Sequence, residues 1–466
     1  MKTKFSKRIE LALADSQLRM NFRGAMDFLR NKRQLAFNDV EEWQALRKKG
    51  AAIRQDAIQR LPELLTQLEH QCQQNGIQVH WAEDGNEANK IILNIAQQHN
   101  AKQVIKGKSM ATEEIELNDF LEKHEIDCIE SDMGEYIVQL DNEKPSHIIM
   151  PAIHKNTAQI TDLFEKKLGI STPSGDVDAL IGVGRRILRE RFEHADIGIS
   201  GVNFAIADTG TLCLVENEGN GRLSTTAPPV HIALMGIEKV IPNIQVLPTL
   251  QRLLTRSATG QHITSYLNLI SSPRKKGELD GPKEVHLVLL DNGRANISQD
   301  EKLQSTLACI RCGACMNHCP VYTRIGGHAY GSTYPGPIGQ VVMPQIKGFK
   351  QEGELLDACS LNGACGEACP VEIDLPELIR TLRHRKQESS STCWSKEVFI
   401  WFVWTKIHLH PWLYRQATLL MAVFRTLNLN YPKGWTRTRT MPKAAKMSLH
   451  RQVRERSKTK KKKENE

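Results

Sequence analysis

The chain has 466 residues, 40% of them hydrophobic and 25% charged, with a formal net charge of +9. This length and composition predict two or more globular domains with buried cores. We expect no transmembrane segment, because a spanning helix needs about 20 apolar residues and the longest aromatic-rich apolar run, VFIWFVW at 398–404, is soon followed by Lys406.

The N-terminal stretch MKTKFSKRIELALADSQLRMNF is charged throughout and contains no apolar core of a signal peptide. We therefore expect no secretory signal and a cytoplasmic location. In a reducing compartment the eleven cysteines are expected to bind metal or carry redox chemistry, because disulfide frameworks are rare there.

Residues 1–75 have helical spacing and few glycines, which predicts amphipathic helices that cap a domain. From residue 76, apolar β-branched runs alternate with helical segments. Strands are predicted at IQVHWA, QVIKG, DCIES, YIVQL, HIIMPAI and EVHLVLL, and helices at ANKIILNIAQQHN and TEEIELNDFLEKHEI. A denser strand region covers 196–240, with a turn at Asp208-Thr209-Gly210. This alternation predicts an α/β domain with a mostly parallel sheet.

The first cysteine run, CIRCGACMNHCP, places Cys309, Cys312, Cys315 and Cys319 in the spacing C-x₂-C-x₂-C-x₃-C-P. In this bacterial ferredoxin pattern the first three thiolates hold one cluster and the fourth reaches the other. Zinc is the main alternative, but zinc sites usually pair two knuckles across a longer gap. We therefore predict an iron–sulfur cluster.

The second run, CSLNGACGEACP, contains Cys359, Cys365 and Cys369, and Asn362 stands where the first run has cysteine. The crossover rule assigns Cys369 to the first cluster with Cys309, Cys312 and Cys315, and Cys319 to the second with Cys359 and Cys365. Three outcomes stay open for the second cluster: [3Fe–4S], [4Fe–4S] with a non-cysteine ligand or water, or a weak or absent cluster. The glycine-rich segment between the runs is predicted to donate backbone N–H groups to sulfur. His318 and His328 lie close to the cysteines, where they could take part in proton-coupled transfer or be ordinary packed or exposed residues.

Several of these motifs together resemble the lactate utilization protein B family of bacterial iron–sulfur proteins. The resemblance covers most of the chain and is carried by KGKSMATEEIELN, DMGEYIVQL, PSHIIMPAIHK, FAIADTGTLCLVENEGNGRL, the cysteine runs and YGSTYPGPIG. It implies an α/β LUD domain, related to the NagB/RpiA/CoA-transferase-like fold, followed by an α-helical ferredoxin-type two-cluster domain. Asn362 departs from the family, whose members often carry cysteine there.

The resemblance also implies a function in the oxidation of L-lactate to pyruvate with two partner proteins, a cysteine-rich subunit and a second LUD-domain protein. This chain would carry electrons through its clusters to a respiratory acceptor. No G-x-G-x-x-G fingerprint follows a strand, and clusters accept single electrons. The carbon oxidation is therefore expected on a partner. Two alternatives stay open: an enzyme that acts on a small acid or phosphate through the α/β domain, and an iron–sulfur redox sensor.

The α/β region offers weaker candidates. Lys106, Lys108 and Ser109 stand between a strand and a helix, which suits a small-anion site or plain helix capping. Glu216 in VENEGNG is a candidate nucleophile or base or part of a structural turn. Ser224, Thr225 and Thr226 are further anion candidates, whereas His231 and the scattered Cys72, Cys128, Cys213 and Cys393 are expected to be packed in the interior.

Residues 394–435 hold five of the seven tryptophans on a helical period that Pro411 interrupts. Aromatic and basic residues together suit packing, a partner groove or peripheral contact with the inner membrane face. Arg451 to Glu466 carries eight Lys or Arg against three Glu, which predicts a disordered basic tail. No DNA-reading element is recognisable, so we expect no nucleic-acid partner.

These features divide the chain into five parts. We predict an N-terminal helical segment, a LUD-like α/β domain, a ferredoxin-type iron–sulfur domain, a tryptophan-rich helical region and the tail, at 1–75, 76–296, 297–390, 391–450 and 451–466.

Overall fold

The structure, a computed structural model, describes residues 4–173, 175–389, 396–426, 447 and 449–463. The chain forms two compact units, Met1–Lys386 and Gln387–Glu466. The predicted domain boundaries lie at other positions and stay predictions.

Four helices begin the first unit: α1 Phe5–Ala14, α2 Ser16–Ala36, α3 Val40–Gln59 and α4 Leu61–Gln74. Aspartates set two of the starts. The side chain of Asp15 accepts the backbone N–H of Leu18, and that of Asp39 accepts the N–H of Glu42. A carboxylate at this position pairs an otherwise unbonded helix donor. The predicted N-terminal helices are therefore present.

The α/β region follows. Its strands are β1 Gln78–Ala82, β2 Gln103–Gly107, β3 Asp127–Glu130, β4 Ile197–Gly201, β5 Phe204–Ile206, β6 Thr211–Glu216, β7 Val230–Gly236, β8 Val240–Ile241, β9 Tyr266–Ile270 and β10 Glu284–Leu290. Its helices are α5 Gly85–Gln98, α6 Met110–Glu114, α7 Leu117–Glu122, α8 Met133–Leu140, α9 Thr157–Leu168, α10 Val177–His194, α11 Asn220–Thr226, α12 Leu247–Thr259 and α13 Arg294–Ser298.

A six-stranded sheet organises this region, and every neighbouring pair of its strands is parallel, in the order β1-β10-β7-β4-β2-β3. Helices cover it, so β4 and β7 are buried along their whole lengths. This explains why both strands are almost entirely apolar, with Ser200 and His231 as polar exceptions that bond each other, and it confirms the predicted parallel α/β sheet. A smaller sheet has the order β8-β5-β6-β9, and the predicted turn at Asp208-Thr209-Gly210 joins β5 to β6.

Two predicted strands are wrong. YIVQL lies in α8, because the Asp132 side chain accepts the N–H groups of Gly134 and Glu135 and so starts a helix. HIIMPAI, residues 147–153, forms neither strand nor helix. Its Pro151 has no N–H to donate to a sheet, and the His147 ring accepts backbone N–H groups that a strand would give to a neighbour.

The cysteine-rich segment is built from short helices: α14 Ala314–Asn317, α15 Tyr322–Ile325, α16 Gly336–Lys347, α17 Phe349–Glu352, α18 Ala364–Ala368 and α19 Leu375–Ser389. It shares one apolar core with the N-terminal helices. Phe22 of α2 packs edge-on against Tyr322, with ring centroids 5.6 Å apart. The N-terminal helices therefore pack on the cysteine-rich segment as well as on the sheet.

The second unit contains α20 Lys396–Leu409, α21 Pro411–Thr426 and α22 Leu449–Lys463. Pro411 separates the first two, as predicted from the sequence. Helix α22 lies where a disordered tail was predicted. Its Arg and Lys residues are good helix formers, and Glu455 lies 3.3 Å from Arg451 one turn away. Among the described residues no helix is both long and apolar enough to span a bilayer.

Candidate metal centre and adjoining cavity

Four cysteines from both runs surround one small cavity: Cys309, Cys312, Cys315 and Cys369. Burial raises the pKa of Cys315 well above its ordinary value, and the other three thiols raise it further. Cys369 thus lies with the first run although it belongs to the second. The structure brings together the four residues that the crossover rule assigned to the first cluster.

The remaining three cysteines form a second group. Burial, followed by the nearby thiols of Cys319 and Cys359, raises the pKa of Cys365 to about 12. The short helices α14 and α18, which carry Cys315 and Cys365, pack against each other. The two groups are therefore neighbours, as clusters that exchange ligands between two runs require.

The two runs have the same backbone shape. Arg311 and Leu361 are left-handed at φ 59° and 54°, and each is followed two residues later by a left-handed glycine, Gly313 or Gly363. In both loops the left-handed residue donates its N–H to the sulfur of the first cysteine, at 3.4 and 3.3 Å. Asn362 therefore occupies the backbone position of Cys312.

The sulfur spacing distinguishes the candidate metals. Among the described residues, two groups of three metal-ligating side chains have all ligand atoms within 4.8 Å of one another, and neither contains a cysteine. A single zinc ion would hold its sulfurs roughly 3.8 Å apart, since Zn–S bonds are about 2.3 Å. The wider cysteine groups fit iron–sulfur clusters, which place several metal atoms between the thiolates.

Backbone N–H groups reach the sulfurs, as the sequence predicted. Tyr322, in the segment between the runs, donates to Cys319 at 3.4 Å, and Ile373 donates to Cys369 at 3.4 Å. Such bonds stabilise thiolate charge and raise the potential of a bound cluster.

Arginines of the N-terminal helices hold the cysteine loops in place. Arg47 donates to the carbonyls of Cys369 and Gly366 at 2.8 and 2.9 Å, and Arg33 donates to Ala368 at 3.1 Å. Neither arginine was predicted from the sequence. Arg47 shares one face of α3 with Gly50 and Arg54, and a side chain at Gly50 would collide with Leu253; this spacing is a sequence signal for Arg47, but it does not include Arg33 of α2.

A buried ionic network joins the sheet to the first cysteine loop. Arg294 makes two parallel bonds to Glu114 at 2.8 and 2.9 Å and a third to Glu238 at 2.6 Å. Arg311 lies 3.3 Å from Glu238 and 4.6 Å from the ring centre of Tyr334. Burial alone would raise the pKa of Glu238, but Arg294 and Arg311 lower it to about 2. The network therefore stays ionised at neutral pH.

A cavity of about 840 Å³ lies at the carboxyl end of the parallel sheet. Residues that follow β2, β4 and β7 line one side, and residues of α2 line another. Ligands of open parallel sheets bind at this edge. Arg311 and Ile148 line both this cavity and the small one among the four cysteines. A molecule in the large cavity would therefore lie next to the first cysteine group.

The predicted anion site after β2 is filled by internal partners. Lys106 is 1% exposed, and its Nζ lies 2.5 Å from Glu130. Lys108 forms an ion pair with Asp132. The Ser109 hydroxyl accepts the backbone N–H three residues later. These contacts support the capping interpretation.

Glu216 lines the large cavity, but both of its oxygens are bonded. It accepts the N–H groups of Gly221 and Arg222 at 2.7 and 2.6 Å, and the Asn268 amide at 2.8 Å. A carboxylate with this many donors is a weak nucleophile and favours the structural interpretation.

The other candidates have structural contacts. The hydroxyls of Ser224, Thr225 and Thr226 donate to carbonyls of their own helix. His231 is fully buried, its Nε2 lies 2.9 Å from the Ser200 hydroxyl, and burial lowers its pKa to about 3. His231 is therefore packed in the interior, as predicted.

The two histidines near the cysteines are bonded to the backbone. His318 donates to the carbonyl of Ala314 and His328 to that of Lys144. Three cysteines outside the two groups are buried, as predicted: Cys72, Cys128 and Cys213. Cys393 lies outside the described residues.

Three protein families match the chain: the LUD domain over residues 65–290, the 4Fe-4S dicluster domain over 305–373, and the lactate utilisation protein B C-terminal family over 382–458. Lactate utilization protein B from Bacillus subtilis (strain 168) is 45% identical over 383 residues, which cover 82% of this chain and 79% of that protein. The chain belongs to the lactate utilization protein B family. The predicted family, LUD domain and iron–sulfur character are thereby confirmed.

A second relative agrees with this assignment. The "Uncharacterized electron transport protein YkgF" of Escherichia coli (strain K12) is 44% identical over 384 residues, 82% of this chain and 80% of that protein. A solved structure of a DUF162 family protein from Deinococcus radiodurans covers 49% of this chain and 98% of its own. Its identity of 14% and TM-score of 0.28 are too low to support any argument.

The Cys312-like backbone at Asn362 leads to a prediction for this family member. Asparagine offers no thiolate, and Asn362 is exposed to solvent. An iron atom beside it would therefore be the first lost on oxidation. After mild ferricyanide oxidation, the native protein is expected to show the EPR signal of a [3Fe–4S] cluster, and Asn362→Cys is expected to lack it. Glu367→Cys adds an exposed thiol on α18 and serves as the control. Equal signals from the native protein and Asn362→Cys would contradict the prediction.

Proposed function

We propose that this chain is the iron–sulfur electron-transfer subunit of a multi-protein system that oxidises L-lactate to pyruvate. It would receive electrons from a partner and pass them to a respiratory acceptor. Its proposed partners are a cysteine-rich subunit and a second LUD-domain protein. The names of its relatives and the dicluster domain support this proposal.

The observation that carries the proposal is the pair of adjacent cysteine groups, one of which borders the large cavity. Clusters bound there would supply one-electron transfer. Cys309, Cys312, Cys315 and Cys369 would hold a [4Fe–4S] cluster, and Cys319, Cys359 and Cys365 a [4Fe–4S] or [3Fe–4S] cluster. The chain itself orients the thiols, donates hydrogen bonds from backbone N–H groups to sulfur and excludes water from the buried cysteine group.

The second unit carries exposed aromatic and basic side chains that suit contact with a membrane surface. Phe399, Trp401, Phe402 and Trp404 of α20 are each more than half exposed, and large exposed apolar side chains in one place mark interaction surfaces. Basic α22 would add attraction to anionic lipid. We propose a cytoplasmic location with peripheral contact at the inner face of the membrane.

The large cavity favours a second candidate function, in which the α/β domain acts on a small acid itself. Its position at the carboxyl edge of the sheet and its size suit a small-molecule ligand. The shared wall at Arg311 would place that ligand next to the first cluster. In this alternative the chain needs no partner to oxidise its substrate.

One experiment tests both candidates. The iron-loaded chain is mixed anaerobically with lactate, with and without the two partner proteins, and the visible absorbance of the clusters is followed. We expect bleaching only when lactate and both partners are present, and dithionite serves as the positive control. Bleaching by lactate alone would favour the second candidate. No bleaching with the complete set would overturn the electron-transfer proposal.

A further inference from the structure

A group of histidines lies at the amino end of the parallel sheet, opposite the edge that holds the cavity. Glu284 and His286 are two residues apart on β10 and share one face of the sheet. His99 directly follows α5, which packs against β10, and His80 lies on the neighbouring strand β1. None of these residues contributes to the cysteine groups or to the large cavity.

Three ligand atoms in this group meet at the spacing of a metal site. The Glu284 carboxylate oxygen Oε2 lies 3.4 Å from Nε2 of His99 and 3.6 Å from Nε2 of His286. All three atoms lie within 4.8 Å of one another. Tetrahedral zinc with bonds of about 2.0–2.1 Å to nitrogen and oxygen separates its ligands by roughly 3.3–3.5 Å. The observed separations suit such an ion without rearrangement of the strand.

The hydrogen bonding of His286 leaves one ring nitrogen available. Its side chain is 3% exposed, and its Nε2 has no hydrogen-bond partner within the described part of the chain. Its Nδ1 lies 3.1 Å from Nε2 of His80. A buried nitrogen without a partner is uncommon and needs an explanation. A metal ion bound to Nε2 would supply one, with the Nδ1 proton donated to His80 in the way that orients metal-bound histidines.

The structure has a second group with similar spacing, but its members have other bonding partners. Glu143, His154 and His328 also bring their ligand atoms within 4.8 Å. However, Lys155 lies 2.9 Å from the same Glu143 oxygen that bonds His154 at 2.7 Å. The other ring nitrogen of His154 is bonded to Ser146. These groups satisfy one another, so the spacing alone does not indicate a metal there.

We propose that His99, Glu284 and His286 bind a divalent transition-metal ion such as zinc, with His80 as a positioning residue. Two imidazoles and a carboxylate are borderline ligands that suit this class of ion. Water would complete the coordination. Gln78 is an alternative fourth ligand. Its amide nitrogen lies 3.4 Å from the same Glu284 oxygen, and exchange of its amide nitrogen and oxygen would present the oxygen to the ion. The ion would join β10 to the end of α5.

The test uses the full-length iron-loaded protein. It is incubated with zinc, passed through a desalting column and analysed for zinc and iron by mass spectrometry. The native protein is expected to retain about one zinc ion per chain, and His286→Ala and Glu284→Gln to lose it, with iron unchanged in all three. His70→Ala, on an exposed face of α4, is the control and should retain zinc. The iron value shows that zinc has not replaced iron at the cysteines.

Two further variants keep the test decisive. If His286→Ala does not fold, His99→Ala alters a partly exposed side chain and is expected to lose zinc in the same way. His80→Ala is expected to weaken zinc affinity about 10–100-fold without abolishing binding, since it removes only the partner of a ligand. Retention of equal zinc by the native protein and the ligand variants would overturn the proposal, as would the absence of retained zinc in the native protein.

Discussion

Cys369→Ala is expected to abolish the same cluster that Cys312→Ala abolishes, although 57 residues separate the two cysteines in the numbering of the chain. Both thiols border the same cavity. Cys312 and Cys369 are buried, unlike the exposed Asn362, so water cannot replace the lost thiolate and about four iron atoms should be lost. Iron and sulfide content, with EPR before and after dithionite, measures the result.

Two substitutions in the second cysteine group, Cys319→Ala and Cys365→Ala, are the comparison, and each should lose the second cluster. The EPR spectrum that remains in Cys369→Ala should equal that of Cys312→Ala and differ from that of Cys365→Ala. Cys72→Ala, a buried cysteine outside both groups, is the control and should keep both clusters. If Cys369→Ala and Cys365→Ala retained the same cluster, the crossed arrangement would be wrong.

Arg294→Met is expected to lower the free energy of unfolding by about 3–5 kcal/mol, because removal of one partner leaves buried charge uncompensated. Arg294 is 2% exposed and is the common partner of Glu114 and Glu238. Both carboxylates would lose their main cation, although Glu238 keeps its contact with Arg311. Urea unfolding of the iron-loaded protein, followed by far-ultraviolet circular dichroism, measures the change.

Arg191→Met provides the comparison for this effect. Arg191 pairs with Asp127 at 2.6 Å, but both side chains are more than a third exposed. Exposed pairs are typically worth less than about 1 kcal/mol. Arg294→Lys keeps the charge but loses the paired bonds to Glu114, so its effect should fall between the two. Equal losses for Arg294→Met and Arg191→Met would show that the buried network contributes little to stability.

The buried ionic network around Arg294 also connects the sheet to the wall of the large cavity and to the first cysteine loop. Glu238 bonds Arg294 on the sheet side and Arg311 on the cysteine side. Arg311 in turn separates the large cavity from the first cysteine group. The positions of the cavity wall and of the first cysteine loop are therefore fixed by the same buried charges.

Features that depend on short stretches of chain could be predicted from the order of residues alone. The cysteine spacing identified an iron–sulfur protein, because three ligands of the first cluster lie within one short loop. Continuous apolar runs identified the buried parallel strands, and Pro411 marked the break between α20 and α21, since proline cannot continue a helix. Local patterns failed at YIVQL and HIIMPAI, where Asp132 and His147 bind nearby backbone N–H groups and override strand propensity.

Apart from Cys369, which the crossover rule already assigned to the first cluster, the meeting of distant residues could be read only from the folded chain. The fold placed Arg47 on the carbonyls of the second cysteine run and Ile148 between the large cavity and the first cysteine group. It also brought His99 to Glu284 and His286. Such contacts depend on how strands and helices pack, and their spacing in the chain carries no local signal. The physical reason is that hydrogen bonds, burial and charge act between neighbours in space, whatever their separation in sequence.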